Sequence, residues 1–274
     1  MSDLVEVAKK ILLENRRAGY TLPTNNKLYP AQWNWDSAFI SLGYSYFNLD
    51  YAIQELETLL KGQWDDGMVP HILFHEVDDS YFPNHTTWSC GKEIPSSGIT
   101  QPPIAASILR IIVKNNSLDE TQNKKVFNLV CKLKKYHEWF FKNRDQNQSG
   151  LISIIHPWES GYDNSPLWDF ALSKINVDKN LSYERRDLKV SKNDERPLKK
   201  DYDCYITLLN QFKSDNYNPN KLLNNSMFNI IDIGLHKPII VIFRFINGGD
   251  SQMASSAFLN SIEVNFRKAV KCLQ

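Results

Sequence analysis

The stretch from His156 to Pro166 carries residue types that can hold a polar ligand. It has two carboxylates, Glu159 and Asp163, four residues apart among tryptophan, tyrosine, glycine and proline. Acidic side chains are normally solvated, and tryptophan side chains normally are not. A segment that mixes them this densely is either a buried, hydrogen-bonded corner or the wall of a pocket. Ring faces beside carboxylates suit sugars, which have apolar CH faces and polar hydroxyls.

Two carboxylates that flank a glycosidic bond can act as general acid and as base or nucleophile. Such pairs stand about 5 to 9.5 Å apart and usually come from separate segments of the chain. The short spacing of Glu159 and Asp163 therefore indicates that only one of them is chemical. The other is expected to position a substrate hydroxyl or the first acid.

Two further segments have residue types suited to a sugar. In Trp33-Asn-Trp-Asp-Ser37 the Asp36 carboxylate can accept hydrogen bonds from two hydroxyls while Trp35 offers a stacking face. The alternative is an aspartate that caps a helix with buried tryptophans. In Ser96–Pro103 the Gln101 amide can donate to and accept from a ligand, or it can simply close the loop.

Other patterns favour structural interpretations. Asp145–Gly150 resembles the first half of a calcium loop, but His156 occupies the position of the bidentate glutamate, so a turn with an aspartate cap is expected. His71 and His75 have no third ligand at matching spacing, so no metal is predicted. Arg196 suits a ligand carboxylate, yet it lies in a charged loop where a surface role is the simpler interpretation.

The composition narrows the class of protein. The chain has 274 residues and a net charge of +1, which favours neither nucleic acid nor an anionic membrane as a partner. Its longest apolar run, Ile239–Phe243, is too short to span a bilayer, and the N-terminus lacks the pattern of a secretory signal. Four scattered cysteines without a CxxC motif indicate free thiols. A cytoplasmic protein without a cofactor is expected.

Helical periodicity recurs along the chain and predicts an array of helical hairpins. The first helix has Leu4, Ala8, Ile11 and Leu12 as its apolar stripe, and the third begins at an Asp50 cap. Long loops with aromatic residues lie between helices and indicate ligand binding rather than disorder. The predicted helices begin near or span the following positions: Ser2, Trp35, Asp50–Gly62, Pro102, Asp119–Phe140, Pro166, Lys199 and 258–273.

Four segments in order resemble the mannosylglycerate and glucosylglycerate hydrolases, relatives of the processing α-glucosidases and trehalases. They cover most of residues 1–233 and are the following: Tyr29-Pro-Ala-Gln-Trp-Asn-Trp-Asp-Ser-Ala-Phe39, Gly62-Gln-Trp-Asp-Asp-Gly-Met-Val-Pro-His71, Ser97-Gly-Ile-Thr-Gln-Pro-Pro103 and Gly150-Leu-Ile-Ser-Ile-Ile-His-Pro-Trp-Glu-Ser-Gly-Tyr-Asp-Asn-Ser-Pro166. The resemblance implies an all-α fold, an (α/α)6 toroid with the site in its central funnel, and an inverting mechanism.

The resemblance also implies roles for individual residues. Asp163 matches the general acid, and such an acid must be kept neutral near pH 7 by its surroundings. Trp158 and Tyr162 can supply the apolar environment, and Glu159 is expected beside the substrate or the acid. Positions that match the sugar subsite are Trp35, Asp36 and Gln101. Positions that match the surroundings of the glycerate are Tyr29, Tyr81, Arg196 and Tyr202.

The match to this family ends before the segment that carries its general base. The chain is therefore expected to be a single incomplete catalytic domain over 1–274, with an insertion at 234–256 and very low activity. A non-catalytic sugar- or glycerate-binding fragment, or a pseudoenzyme, is the alternative. Unpaired helix faces of an open array of hairpins predict self-association.

Overall fold

The computed structural model of the chain consists mainly of helices joined by loops that carry short strands. The residues described are 2–24, 28–145, 148–189, 196–232 and 234–235. The predicted insertion at 234–256 lies outside them except for its first two residues, and so does the predicted helix at 258–273.

Helices account for most of the regular structure and follow the predicted periodicity. The α-helices of the described part are α1 Ser2–Asn15, α2 Asn34–Ser45, α3 Leu49–Lys61, α4 His85–Trp88, α5 Ala105–Asn115, α6 Glu120–Asn143, α7 Asp169–Leu172, α8 Lys199–Ser214 and α9 Pro219–Asn225. None of these helices is long and apolar enough to cross a membrane.

The helices pack as hairpins because short connections join neighbours in sequence. Helix α2 packs on α3 and on α5, while α6 packs on both α3 and α5. On α2 the buried face is formed by small residues such as Ser37, Ala38 and Ser41, which allow α3 to approach closely. Ala52 of α3 faces them, and the Ser41 hydroxyl donates to its carbonyl at 2.8 Å. The middle of α2 is therefore bonded directly to α3.

Short strands depart from the all-α prediction. They are β1 Gln32–Trp33, β2 Ile72–Leu73, β3 Cys90–Gly91, β4 Pro95–Ser96, β5 Ser153–Ile154 and β6 Ile230–Ile231. The first four form one antiparallel sheet in the order β1-β2-β4-β3, and β5 pairs with β6. The sheet joins the loops that follow α1, α3 and α4, so it fixes the loop ends rather than forming a layer of its own.

The caps of the helices match the prediction at α6 and differ at α3. Asp119 forms a capping box with Gln122, as its position before the helix indicates. At α3 the cap is Asn48, whose side chain accepts from the Tyr51 amide at 3.0 Å, so the prediction of an Asp50 cap was wrong. Asp50 instead lies in the first turn.

Helix α1 exposes much of its predicted apolar stripe. Leu4 is 75% exposed and Ile11 is 51% exposed, whereas Leu12 packs against the core. The prediction of a turn with an aspartate cap at Asp145 is confirmed, because its carboxylate accepts from the Ser149 and Gly150 amides at 2.9 and 2.7 Å.

Candidate active site

A cavity of about 220 Å³ opens among the loops at the ends of α2, α8 and the sheet. It brings together segments that are far apart in the sequence. Its lining residues are Pro23, Tyr29, Trp33, Trp35, Asp36, His71, Tyr81, Phe82, Gln101, Trp158, Gly161, Asp163, Asp187, Arg196, Pro197 and Tyr202.

The first turn of α2 supplies Trp35 and Asp36. The Gln101 side-chain carbonyl accepts from the Trp35 amide at 3.2 Å, so the loop before α5 holds the beginning of α2. The Gln101 backbone carbonyl accepts from the Tyr136 hydroxyl at 2.8 Å, and this fixes the loop to α6. Gln101 therefore both closes the loop and faces the cavity, which joins the two interpretations of its sequence position.

Asp36 is half-buried and has no ion-pair partner among the described residues. Burial raises its pKa from 3.8 to about 6, against the lowering effect of local hydrogen bonds. The carboxyl group is thus ionised at neutral pH but holds its proton in mild acid. An ionised Asp36 offers only acceptors, which is the complement of sugar hydroxyls.

Asp163 lies in the loop between two short 3₁₀ turns, Pro157–Ser160 and Pro166–Trp168. The Tyr205 hydroxyl of α8 donates to the Asp163 carbonyl at 2.9 Å and fixes the backbone of the loop. Before it, Gly161 has φ +78° and approaches Trp35 so closely that a Cβ would lie 2.6 Å from the indole ring. Only glycine fits both conditions, and this contact joins the Asp163 loop to the Trp35 side of the cavity.

The Asp163 side chain has no cation within ion-pair distance in the described part of the chain. Burial raises its pKa, opposed by a local backbone hydrogen bond and by the charge of Arg196. A carboxyl group whose pKa is raised in this way is suited to keeping a proton and delivering it to a ligand oxygen.

Glu159 lies away from the cavity, although the sequence pairs it with Asp163. Its carboxylate is 1% exposed and forms an ion pair with Arg144 at 3.0 Å. It also accepts from the Ile155 amide at 2.9 Å and from the Thr100 amide at 3.3 Å. These contacts tie the end of α6 to the loop beside Gln101 and to the segment that leads to Asp163. The geometry does not bring Glu159 to the ligand cavity.

Trp158 presents its ring to the cavity from a cage of aromatic residues. Its ring centroid lies 4.4 Å from that of His156, 5.4 Å from that of Tyr205 and 6.1 Å from that of His71. Burial lowers the pKa of His71, and its Nδ1 lies 2.9 Å from the Ser97 hydroxyl. A neutral His71 therefore forms part of the wall. Within the described ranges, no three His, Cys, Asp or Glu side chains lie together as a metal site would need.

Arg196 lies in the cavity wall beside Tyr29 and Asp187. Its Nε donates to Asp187 at 2.9 Å, and its Nη1 donates to the Tyr29 hydroxyl at 3.1 Å. Burial alone would raise the pKa of Asp187, but the hydrogen bonds and charges of Arg185 and Arg196 outweigh it and lower that pKa. The interpretation of Arg196 as a surface residue is therefore superseded by a position in the cavity wall.

Tyrosine side chains complete the wall around Arg196. The Tyr29 and Tyr81 rings meet Trp33 edge to face at centroid distances of 5.0 and 5.4 Å. The Tyr202 hydroxyl donates to the Phe82 carbonyl at 2.9 Å. Burial raises the pKa of both Tyr81 and Tyr202, so their hydroxyls stay protonated. The Tyr202 proton is used for the Phe82 carbonyl, whereas the Tyr81 hydroxyl can donate to a ligand.

The sequence-based nominations gather in this cavity with the exception of Glu159 and of Tyr162, whose hydroxyl donates to the Asp232 carboxylate. The lining residues that the sequence did not nominate include His71, Trp33, Gly161 and above all Asp187, which is buried against two arginines. The local signal for Asp187 was the run Glu184-Arg-Arg-Asp187, which is typical of a solvated loop. Acidic and basic residues that alternate in a loop with aromatic residues could have indicated that Asp187 lies in the site.

Comparison with known proteins shows the family of the chain. Residues 29–238 match the family model of the mannosylglycerate hydrolase MGH1-like glycoside hydrolase domain. The chain is 44% identical over 233 residues to mannosylglycerate hydrolase MGH2 of Selaginella moellendorffii, an alignment that covers 84% of this chain and 47% of the relative. The chain thus spans about half the length of this relative.

Solved structures agree in fold. The GH63 mannosylglycerate hydrolase from Thermus thermophilus in complex with Tris matches with a TM-score of 0.86 and 37% sequence identity. The match covers 98% of this chain and 65% of the crystallised chain. Crystals of the same enzyme contain Tris with D-glycerate in one case (TM-score 0.81) and glucose in another (TM-score 0.79).

Proposed function

The chain belongs to the family of mannosylglycerate hydrolase MGH1-like glycoside hydrolases, and from that premise we propose that its cavity binds a small α-glycoside for hydrolysis. The proposed substrates are mannosylglycerate and glucosylglycerate. One observation carries the proposal: a carboxyl group with a raised pKa, Asp163, lines the same cavity as the Arg196 guanidinium. A glycosidic oxygen needs the first group, and a glycerate carboxylate needs the second.

The sugar binds on the side of α2. Trp35 and Trp158 offer ring faces to the CH groups of the sugar, while Asp36 accepts from its hydroxyls. The Gln101 side chain uses its carbonyl for the Trp35 amide, so its amide group is left to donate to a sugar oxygen.

The glycerate binds on the side of Arg196. A guanidinium donates to a carboxylate through a planar pair of N–H groups, which gives both charge and orientation. The side chains of Tyr29, Tyr81 and Tyr202 surround it. Glu159 contributes indirectly, because its bonds to the Thr100 and Ile155 amides hold the loops on both sides of the sugar.

In the reaction Asp163 gives its proton to the glycosidic oxygen as the bond to the sugar breaks. Inversion needs a second carboxylate that activates water on the opposite face of the sugar. We nominate no such base among the described residues, so this chain supplies the acid half and is expected to turn over slowly. Water adds to the sugar carbon, and the products are the free sugar and glycerate.

The wider architecture is proposed on the same premise. The packed hairpins α2–α3 and α5–α6 are consistent with an arc of an (α/α)6 toroid. The exposed apolar residues of α1, including Leu4 and Ile11, favour association with another apolar surface, so self-association is expected.

The proposal is tested by incubating the chain with each glycoside and following the release of free mannose or glucose. Asp163→Asn should lower whatever rate the chain supports by roughly 10²- to 10⁴-fold, because proton transfer to the leaving oxygen is lost. Asp169→Asn is the matched control, since it makes the same change six residues away at an exposed position.

An Asp163→Asn variant as active as the wild type would contradict the role of Asp163. Binding of glucose and D-glycerate without any hydrolysis would favour a non-catalytic binding fragment. Fast hydrolysis that depends on Asp163 would show that a base is present.

A further inference from the structure

Asp187 lies between two arginines at the edge of the cavity. Arg185 donates to both of its oxygens, from Nε to Oδ1 at 3.1 Å and from Nη2 to Oδ2 at 2.6 Å. Arg196 donates from Nε to Oδ2 at 2.9 Å. The carboxylate is buried, with 6% of the residue exposed. One carboxylate therefore accepts hydrogen bonds from two guanidiniums in a desolvated position, where charge-assisted hydrogen bonds are strong.

Arg185 is itself held in place, so Asp187 cannot move easily. Its Nη1 donates to the Pro197 carbonyl at 2.6 Å. Its guanidinium lies 4.3 Å from the centroid of the Tyr202 ring, within the range of a cation–π contact. Arg185 has side-chain contacts on three sides and acts as a fixed support for the carboxylate.

The contacts of Arg196 determine which of its N–H groups remain for a ligand. Nε is committed to Asp187, and Nη1 donates to the Tyr29 hydroxyl. Nη2 has no hydrogen-bond partner among the described residues. Because a guanidinium is planar, two fixed N–H groups determine the direction of the remaining ones. Asp187 thus sets the orientation of the Arg196 end that meets the cavity.

We propose that Asp187, supported by Arg185, is the positioning residue that gives the cavity its selectivity for an anionic aglycone. The inference rests on the proposed function, because it names how the glycerate end of that site is built. Two guanidiniums and one carboxylate leave one positive charge in excess, which matches one carboxylate of the ligand. Removal of Asp187 would leave two positive charges but would free Arg196 to rotate.

Charge and orientation predict opposite results for Asp187→Asn. If charge alone mattered, the added net positive charge would strengthen the binding of an anion. If Asp187 positions Arg196, the affinity for D-glycerate should fall by about tenfold or more, since a correctly oriented charged hydrogen bond is lost. In the proposed site glucose does not contact Arg196. The affinity of the variant for glucose should therefore stay within about twofold of the wild-type affinity under both hypotheses.

The experiment is a pair of calorimetric titrations, with D-glycerate and with glucose, on the wild-type chain and on Asp187→Asn. Asp65→Asn is the matched control, because Asp65 is also ion-paired, to Lys92, but lies outside the cavity. The control should bind both ligands as the wild type does. Methyl D-glycerate, which lacks the charge, should lose less affinity than D-glycerate in the Asp187→Asn variant.

Selective loss of D-glycerate binding supports the proposal. Unchanged or stronger D-glycerate binding overturns it, and so does an equal loss of both ligands, which would make Asp187 a support of the whole cavity. If Asp187→Asn does not yield a folded chain, the same titrations are made on Arg185→Lys. This variant keeps the positive charge and loses the pair of hydrogen bonds to the two Asp187 oxygens. A wild-type chain that binds neither ligand would refute the proposed function itself.

Discussion

On one side of the cavity Asp36 and Asp163 are partly buried without a cation at ion-pair distance in the described part of the chain, and burial raises the pKa of both. On the other side Asp187 is buried between Arg185 and Arg196, which lower its pKa. Burial therefore does not by itself determine whether an aspartate keeps its proton. The partners that accompany it into the interior do.

The two sides are suited to different parts of one ligand. The side of Asp163 can hold a proton and accept from hydroxyls, while the side of Arg196 presents a fixed positive charge. A third carboxylate, Glu159, lies outside the cavity lining and is paired like Asp187 rather than unpaired like Asp163.

The largest effect on stability is expected from Arg144→Met, which leaves the buried Glu159 without its cation. Removing one partner of a buried ion pair typically costs about 3 to 5 kcal/mol, because the remaining charge is desolvated and uncompensated. The free energy of unfolding, measured with urea at pH 7, should fall by that amount.

Asp163→Asn is the comparison for Arg144→Met. It removes a partly buried carboxyl group that has no ion pair, so the free energy of unfolding should change by less than about 1 kcal/mol or increase. If the free energy of unfolding falls equally in the two variants, the proposed difference between paired and unpaired carboxylates is contradicted.

A smaller, pH-dependent effect is expected from Asp36→Asn. The pKa of Asp36 is raised to about 6, so between pH 4 and 6 the folded chain keeps a proton that the unfolded chain has lost. The contribution of this group to stability is therefore present in acid and is lost as the pH rises through this window. Because Asp36 is only half-buried, the loss is roughly 1 to 3 kcal/mol.

The variant should match the wild type near pH 4 and exceed its stability at pH 7. Burial also raises the pKa of Glu55, to about 7, but that group is present in both proteins and cancels in their difference. A difference between the two proteins that is the same at both pH values would contradict the assignment.

The sequence predicted the helices and the cavity residues well where the signal is local. The Asp119 cap follows from its position three residues before Gln122, and Trp35 and Asp36 stand out by residue type alone. Two-residue strands have no periodicity to detect, so the sheet of β1, β2, β4 and β3 could not be predicted.

The pairing of charges was the part that the sequence could not predict. Glu159 meets Arg144 from the end of α6, fifteen residues earlier, and no local pattern links them. Asp187 and Arg196 are nine residues apart in a run of charged residues that is typical of a solvated loop. Which carboxylate is paired depends on tertiary contacts, so Glu159 was nominated for the ligand and Asp187 was not.

The division of the cavity is tested most directly by titrating the chain with D-glycerate in the absence and in the presence of saturating glucose. If the sugar and the small acid bind on different sides, the two Kd values for D-glycerate should agree within about twofold. Arg196→Met should abolish the D-glycerate signal and leave glucose binding intact. Competition between the two ligands, or loss of glucose binding in Arg196→Met, would contradict the account.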